Sequence, residues 1–242
     1  LIESPKLFHG RFVAQPPIYP RKESPDLLFG SLFHEAVLED RRDWSVWTGG
    51  RRYGKEWDAF REMADGRVLT VEEDHTLNSM VASIRGHKRA AALLDGGESE
   101  VTIRWTDEET GIVCRARLDK LRENVVVDLK SCRSSRPKLF SAASYNFGYH
   151  RQAAWYGDAA RALTGDYLPF VFVAVEKEPP FACEVFELDE EFVELGREEN
   201  RAALFRLVEC RETCVWESPT HDSIVQISAP RWAKFENEWE IE

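Results

Sequence analysis

Residues 112–130 read Ile-Val-Cys-Arg-Ala-Arg-Leu-Asp-Lys-Leu-Arg-Glu-Asn-Val-Val-Val-Asp-Leu-Lys. The stretch predicts two strands joined by a tight turn, with Asp119 near the end of the first and Asp128-Leu129-Lys130 on the second. Side chains alternate faces along a strand. Ile112, Cys114, Ala116 and Leu118 therefore share one face, and Val113, Arg115, Arg117 and Asp119 the other. On the second strand Val125, Val127 and Leu129 oppose Val126, Asp128 and Lys130, so each strand is expected to have a core face and a mostly polar face. A two-residue turn at Glu123-Asn124 places Asp119 opposite Asp128 and Arg117 opposite Lys130. Like charges directly opposite on a sheet repel, and a divalent cation between them removes the repulsion. Two carboxylates and a lysine on one face then suit metal-assisted attack of water on a phosphodiester. A solvated hairpin face with scattered charges is the competing reading, and spacing alone leaves the two level.

The chain of 242 residues is long enough for one sizeable core. No internal repeat or linker divides it, so one domain over 1–242 is expected. Its 31% charged and 43% hydrophobic residues describe a soluble globular protein. No apolar run approaches a membrane span, and no signal-peptide pattern stands at the start. The first residue is Leu1 rather than Met, which leaves room for residues ahead of it. Five scattered cysteines (Cys114, Cys132, Cys183, Cys210, Cys214) point to reduced thiols and a cytoplasmic setting.

A net charge of −11 is awkward for a nucleic-acid partner. Its distribution softens the objection. Between Asp128 and Asp158 there is no acidic residue, but there are Lys130, Arg133, Arg136, Lys138 and Arg151. Acid gathers instead in 189–199 and 236–242.

Cap and turn residues outline the remaining elements. Residues 1–24 read as irregular, and Ser24-Pro25 opens a helix to Glu39. An aromatic, Arg- and Gly-rich loop at 41–55 precedes a short helix over Glu56–Ala64. Thr70-Val-Glu-Glu73 is a capping box for a helix to about Arg85, with another over Lys88–Leu94. A strand over Glu100–Thr106 leads into the hairpin. Helices follow over Pro137–Tyr145 and Tyr149–Thr164, the latter stopped by Gly165. Strands over Phe170–Val175 and Cys183–Leu188, a long helix over Asp189–Glu212 and a terminal helix over Trp232–Glu240 complete an α+β fold with a mixed sheet flanked by helices.

Two motifs are set aside. Gly49-x4-Gly54-Lys55 mimics a phosphate loop, but Glu56 stands where Ser or Thr should follow and no apolar strand precedes it. Cys210-x3-Cys214 has no companion pair at metal-site spacing and reads as packing or surface thiols. His34 lies four residues after Gly30 on one helical face, where glycine would let another backbone approach. Gln152 and Tyr156 share a helix face at i, i+4. Taken singly, each of these is as well explained by packing.

The ordered set Gly30-x3-His34, Asp119, Asp128-Leu-Lys130 and Gln152-x3-Tyr156 resembles the RecB-like branch of the PD-(D/E)xK nuclease superfamily. Ser4-Pro5-Lys-Leu-Phe8, Phe29-Gly-Ser-Leu-Phe-His-Glu-Ala-Val-Leu38, Gly148-Tyr-His-Arg-Gln-Ala-Ala-Trp-Tyr156, Phe172-Val-Ala-Val-Glu-Lys-Glu-Pro-Pro180 and Pro230-Arg-Trp232 further resemble the RecE-type exonucleases. Leu118 stands where that pattern has a proline, and the first position of its D/E-x-K is Asp128.

The resemblance implies a PD-(D/E)xK core in which Asp119, Asp128, the Leu129 main-chain carbonyl and His34 hold the metal. Lys130 would orient or deprotonate the attacking water, Glu100 would support a second metal, and Gln152 and Tyr156 would position the DNA backbone or the site side chains. Arg133, Arg136, Lys138 and Arg151 would track phosphates. Oxygen ligands suit Mg2+, and an imidazole shifts preference toward Mn2+. The implied activity is processive 5′→3′ digestion of linear duplex DNA, leaving 3′ overhangs for a single-strand annealing protein in phage or prophage recombination. A ring-shaped homo-oligomer with a basic channel would reconcile the net charge with DNA. An endonuclease on the same fold, or a non-catalytic DNA-end binder, is the alternative.

Overall fold

In a computed structural model, which describes residues 4–20, 22, 24–218, 220 and 222–228, the helices begin where the side chains can cap them. Ser4 Oγ accepts the Leu7 N–H at 3.2 Å and Pro5 opens α1 (Pro5–Phe8), which runs into a π-helical turn, His9–Val13. The expectation of an irregular start is corrected there, because a cap and a proline at the first helical position suffice to begin a helix. Ser24 caps α2 (Pro25–Leu38) in the same way. The loop at 41–55 contains a strand the sequence did not announce, β1 (Ser45–Trp47), where Trp47 packs on Trp57 and Phe60 of α3 (Lys55–Met63). β1 pairs in parallel with β2 (Val68–Thr70) as a small separate sheet. Both halves of the expected capping box form at α4 (Val71–Gly86), and α5 (Lys88–Leu94) follows.

The main sheet has five strands in the order β3 (Glu98–Thr106), β4 (Val113–Arg122), β5 (Val125–Cys132), β6 (Phe170–Glu176) and β7 (Cys183–Glu187). Neighbours are antiparallel except β5 and β6, which are parallel. A parallel pair needs a long crossover, and α6 (Pro137–Asn146) with α7 (Tyr149–Thr164) supplies it. Gly165 closes α7 in the left-handed conformation, as its sequence position predicts. The last described helix is α8 (Glu190–Thr213). It crosses α7 at Gly196, where a Cβ would meet the His150 carbonyl oxygen at 2.3 Å, so only glycine lets the two helices approach this closely.

Two apolar cores sandwich the sheet. Leu32 and Phe33 of α2 and Leu77 and Met80 of α4 pack with Val127, Leu129 and Val173. Phe140 of α6 and Ala153 and Ala160 of α7 pack with Leu118, Val126 and Phe172. Each fully buried Leu or Phe contributes about 1.5–3 kcal/mol, against ~0–1 kcal/mol for an exposed ion pair, so these cores set the frame that holds the polar groups. β5 lies at the centre and is covered on both sides, which corrects the expected polar face: Asp128 is 0% exposed. Residues 22–205 form one compact unit, and the described residues of 1–21 and 206–242 form another. In the smaller unit Lys6 pairs with Glu217 at 2.8 Å and the His9 and Trp216 rings lie 4.7 Å apart. The terminal helix expected over Trp232–Glu240 lies outside the described residues. Among the described residues no helix is long and apolar enough to cross a membrane.

Candidate active site

The Glu123-Asn124 turn has the expected register, with Arg122↔Val125, Leu121↔Val126 and Lys120↔Val127 paired. The ladder ends there. Asp119 and Asp128 are not a cross-strand pair, and Arg117 lies opposite Thr102 of β3 rather than Lys130. The cause is a local irregularity. Glu100 adopts a left-handed backbone (φ 55°), and the β3–β4 ladder skips Glu100 and Asp119 while Ser99↔Lys120 and Val101↔Leu118 pair on either side. Leu118 and Leu121, three residues apart, face the same core, so alternation slips by one across Asp119. Released from the ladder, the Asp119 carboxylate reaches β5, where its Oδ2 accepts the Leu129 N–H at 2.9 Å. A non-glycine residue at positive φ carries strain of about 1–3 kcal/mol, and such strain gathers at functional sites.

Asp128 is held from two sides. Gln152 of α7 donates through Nε2 to its Oδ1 at 2.7 Å, and the Lys130 ammonium contacts its Oδ2. Lys130 also lies 4.9 Å from the centre of the Tyr149 ring and 5.7 Å from that of Phe172. Burial by itself would discharge this lysine. The adjacent Asp128 carboxylate wins, and the Lys130 pKa is raised. An ammonium held against Asp128 is placed to orient water and to offset phosphate charge. The Tyr156 hydroxyl is pushed up by burial against a hydrogen bond with Gln152, which ties the tyrosine to the side chain that positions Asp128.

His34 of α2, Glu100 and Asp119 place one donor atom each within 4.8 Å of one another. His34 Nδ1 is 3.5 Å from Asp119 Oδ2. Burial lowers the His34 pKa against the pull of Asp128, and the Leu129 main chain lies within its hydrogen-bonding reach, so the neutral imidazole keeps a lone pair for a ligand. Among the described residues, the buried carboxylate oxygens without a hydrogen bond are Glu100 Oε2 and Asp128 Oδ2. Both belong to this site, and each is met by a cation, Arg117 Nε at 2.7 Å from Glu100 Oε2 and Lys130 at Asp128. Several carboxylate oxygens and one imidazole fit a hard divalent cation, Mg2+ or, with the nitrogen donor, Mn2+. The tight group contains Glu100 in the place where the sequence reading put Asp128.

Burial pushes the Asp119 and Asp128 carboxyls up to about 6. Cation binding requires their charged forms. Affinity for Mn2+, measured by titration calorimetry, should therefore fall as pH drops through about 6, by about tenfold or more per pH unit below it. An affinity that is flat from pH 7.5 to 5 would remove these carboxylates from the binding site.

The remaining predicted residues separate. Arg133, Arg136 and Lys138 are exposed on the β5–α6 connection and the first turn of α6. Arg151 is paired with Glu199 of α8 at 3.5 Å. Gly30 has nothing within 4 Å of a Cβ position, so no backbone approaches it and that expectation is corrected. Arg117 and Tyr149 escaped sequence reasoning. Their signals were faint: Arg117 is two residues before Asp119, and Tyr149 is one turn before Gln152.

The chain matches, over residues 13–222, the model of a family described as a PDDEXK-like domain of unknown function (DUF3799). Among solved structures it resembles a candidate exonuclease from Eubacterium rectale, with a TM-score of 0.63 and 16% identity over 91% of this chain and 82% of that one. A second structure, SSO0001, is 16% identical over 76% of this chain and 88% of that chain, and its TM-score of 0.31 carries no argument. No curated protein matches the chain.

Proposed function

The chain belongs to the PDDEXK-like family DUF3799, and on that premise we propose that it is a divalent-metal-dependent nuclease of linear double-stranded DNA. One observation carries the reading. A metal-sized group of His34, Glu100 and Asp119 stands beside a buried Asp128–Lys130 pair, and in each a carboxylate oxygen faces a cation rather than a hydrogen-bond donor of the fold. His34, Glu100, Asp119 and Asp128 would hold the ion, with the Leu129 carbonyl as a further ligand. A bound Mg2+ or Mn2+ supplies Lewis acidity toward the phosphate and a lowered pKa for water. Lys130 would orient or deprotonate the attacking water and place a positive charge where negative charge grows on the phosphate. Gln152, backed by Tyr156, fixes the Asp128 carboxylate so that this charge need not reorganise during the reaction. Leu129 N–H fixes Asp119 in the same manner.

The finer reading is a RecE-type exonuclease: 5′→3′ and processive, leaving 3′ overhangs for a single-strand annealing protein in phage or prophage recombination. Its supports are the ordered motifs and the exposed Arg133, Arg136 and Lys138 beside the site. A ring-shaped homo-oligomer and a cytoplasmic setting belong to the same proposal, the latter supported by five free cysteines. The test is a time course on end-labelled linear duplex, with and without a 5′ phosphate, beside a covalently closed circle. Linear DNA should be shortened from its 5′ ends in Mg2+, at least as fast in Mn2+, and not in excess EDTA. Linearisation of the circle would favour an endonuclease. Equal cutting in EDTA would overturn the metal-dependent reading.

A further inference from the structure

The exposed face of β3 and β4 presents two arginines side by side. Arg104 and Arg115 lie directly opposite each other in the ladder, both exposed, and among the described residues neither has a carboxylate partner. Like charges at such a position repel. The chain carries 43 acidic against 32 basic residues, so carboxylates to neutralise them are abundant. Arg41, Arg67, Arg85, Arg197, Arg201 and Arg206 all have one. In the turn that joins the two strands, Asp107 and Glu109 are both directed to Arg201.

The same face leads into the site. Arg117, next on β4, lies opposite Thr102 and reaches Glu100 Oε2 at 2.7 Å, and Glu100 belongs to the group with His34 and Asp119. Side chains two apart on a strand are about 7 Å apart, close to the axial distance of two nucleotide steps along one DNA strand. The opposite faces of these strands are taken by the apolar core, through Ile103, Ala116 and Leu118. The outer surface is thus a basic strip, flanked by Thr102 and Thr106, that starts at the candidate metal ligands and runs outward along the hairpin.

We infer that this strip is a track for the sugar-phosphate backbone of the substrate, with Arg104 and Arg115 as its anion contacts. The inference rests on the nuclease reading and adds a partner surface to it. Two guanidinium groups that repel each other in the free protein are both neutralised when phosphate lies across them, and their planar donors suit phosphate oxygens.

The test is equilibrium binding of a fluorescent duplex in EDTA, where cutting is blocked, at several salt concentrations. For Arg104→Gln/Arg115→Gln, the slope of log K against log salt should become shallower by about two, at ~0.9 per lost phosphate contact, with affinity at 0.15 M salt down about tenfold or more. Arg104→Lys/Arg115→Lys should keep the wild-type slope. The glutamine pair should not lower Tm, since it removes a repulsion. A slope equal to wild type, or changed no more than by Lys88→Gln/Arg89→Gln on exposed α5, would overturn the track. So would a Tm lowered in both the glutamine and the lysine variants, which would assign the arginines to the fold. Separately, wild-type protein with Mn2+ should degrade the same linear duplex to acid-soluble nucleotides. Failure to degrade it overturns the nuclease reading itself, whereas degradation with an unchanged slope overturns only the track.

Discussion

Replacing Lys130 by Met should destabilise the protein by about 3–5 kcal/mol, the usual cost of stranding one member of a buried ion pair. Asp128 is fully buried and Lys130 nearly so, and each is the other's counter-charge. Removing the ammonium leaves a carboxylate whose remaining polar contact is the Gln152 amide. Asp128→Asn alone should also be costly, because it strands the ammonium between the Tyr149 and Phe172 rings. The double variant should be more stable than either single one, since a neutral amide at position 128 can still accept from Gln152. Denaturant unfolding of the four proteins closes the cycle. All three variants should lose nuclease activity. Additive stability losses would mean that the two groups do not form the pair described above.

Asp119→Asn should separate stability from activity in the opposite direction. Its side-chain oxygen can still accept the Leu129 N–H, while the charge that burial opposes is gone. The Asp119 pKa is raised from 3.8 to about 6, so in the metal-free protein its ionised form costs stability. That cost is absent below pH 3.8, grows as pH rises toward about 6, and is fully present at neutral pH. It amounts to roughly 1–3 kcal/mol. In EDTA at about pH 7.5 the variant should therefore melt at or above the wild-type Tm. Its cleavage in Mn2+ should fall on the order of 10³-fold or more. A lowered Tm in EDTA would show that the Asp119 charge supports the fold, and retained cleavage would remove it from the site.

Much of the frame was legible because local chemistry dictates it. The Thr70–Glu73 capping box, Ser24-Pro25 and Gly165 mark helix ends where they occur. The Glu123-Asn124 turn sets the strand register. The site was legible as a set of residues but not as a geometry. Alternation assumes a regular strand, and the slip at Asp119 arises from the backbone of Glu100, on another strand. Burial of both faces of β5 depends on the helices packed on either side of the sheet, a tertiary fact that Val-Val-Val-Asp cannot express. β1 is three residues long and is supported by pairing with β2 and packing on α3, so no periodicity could reveal it. The Arg151–Glu199 pair was not legible because its members lie 48 residues apart in the chain.

Glu100 has a consequence for anyone who redesigns this chain. At φ 55° a glycine or asparagine sits more comfortably than a glutamate. A redesign scored only on folding stability would flag position 100 as an error and correct it. It would also remove the Arg117–Glu100 pair and one corner of the candidate metal group. Strain at this position is thus a marker of what to leave alone, and a stabilised version of this protein should be built from substitutions elsewhere.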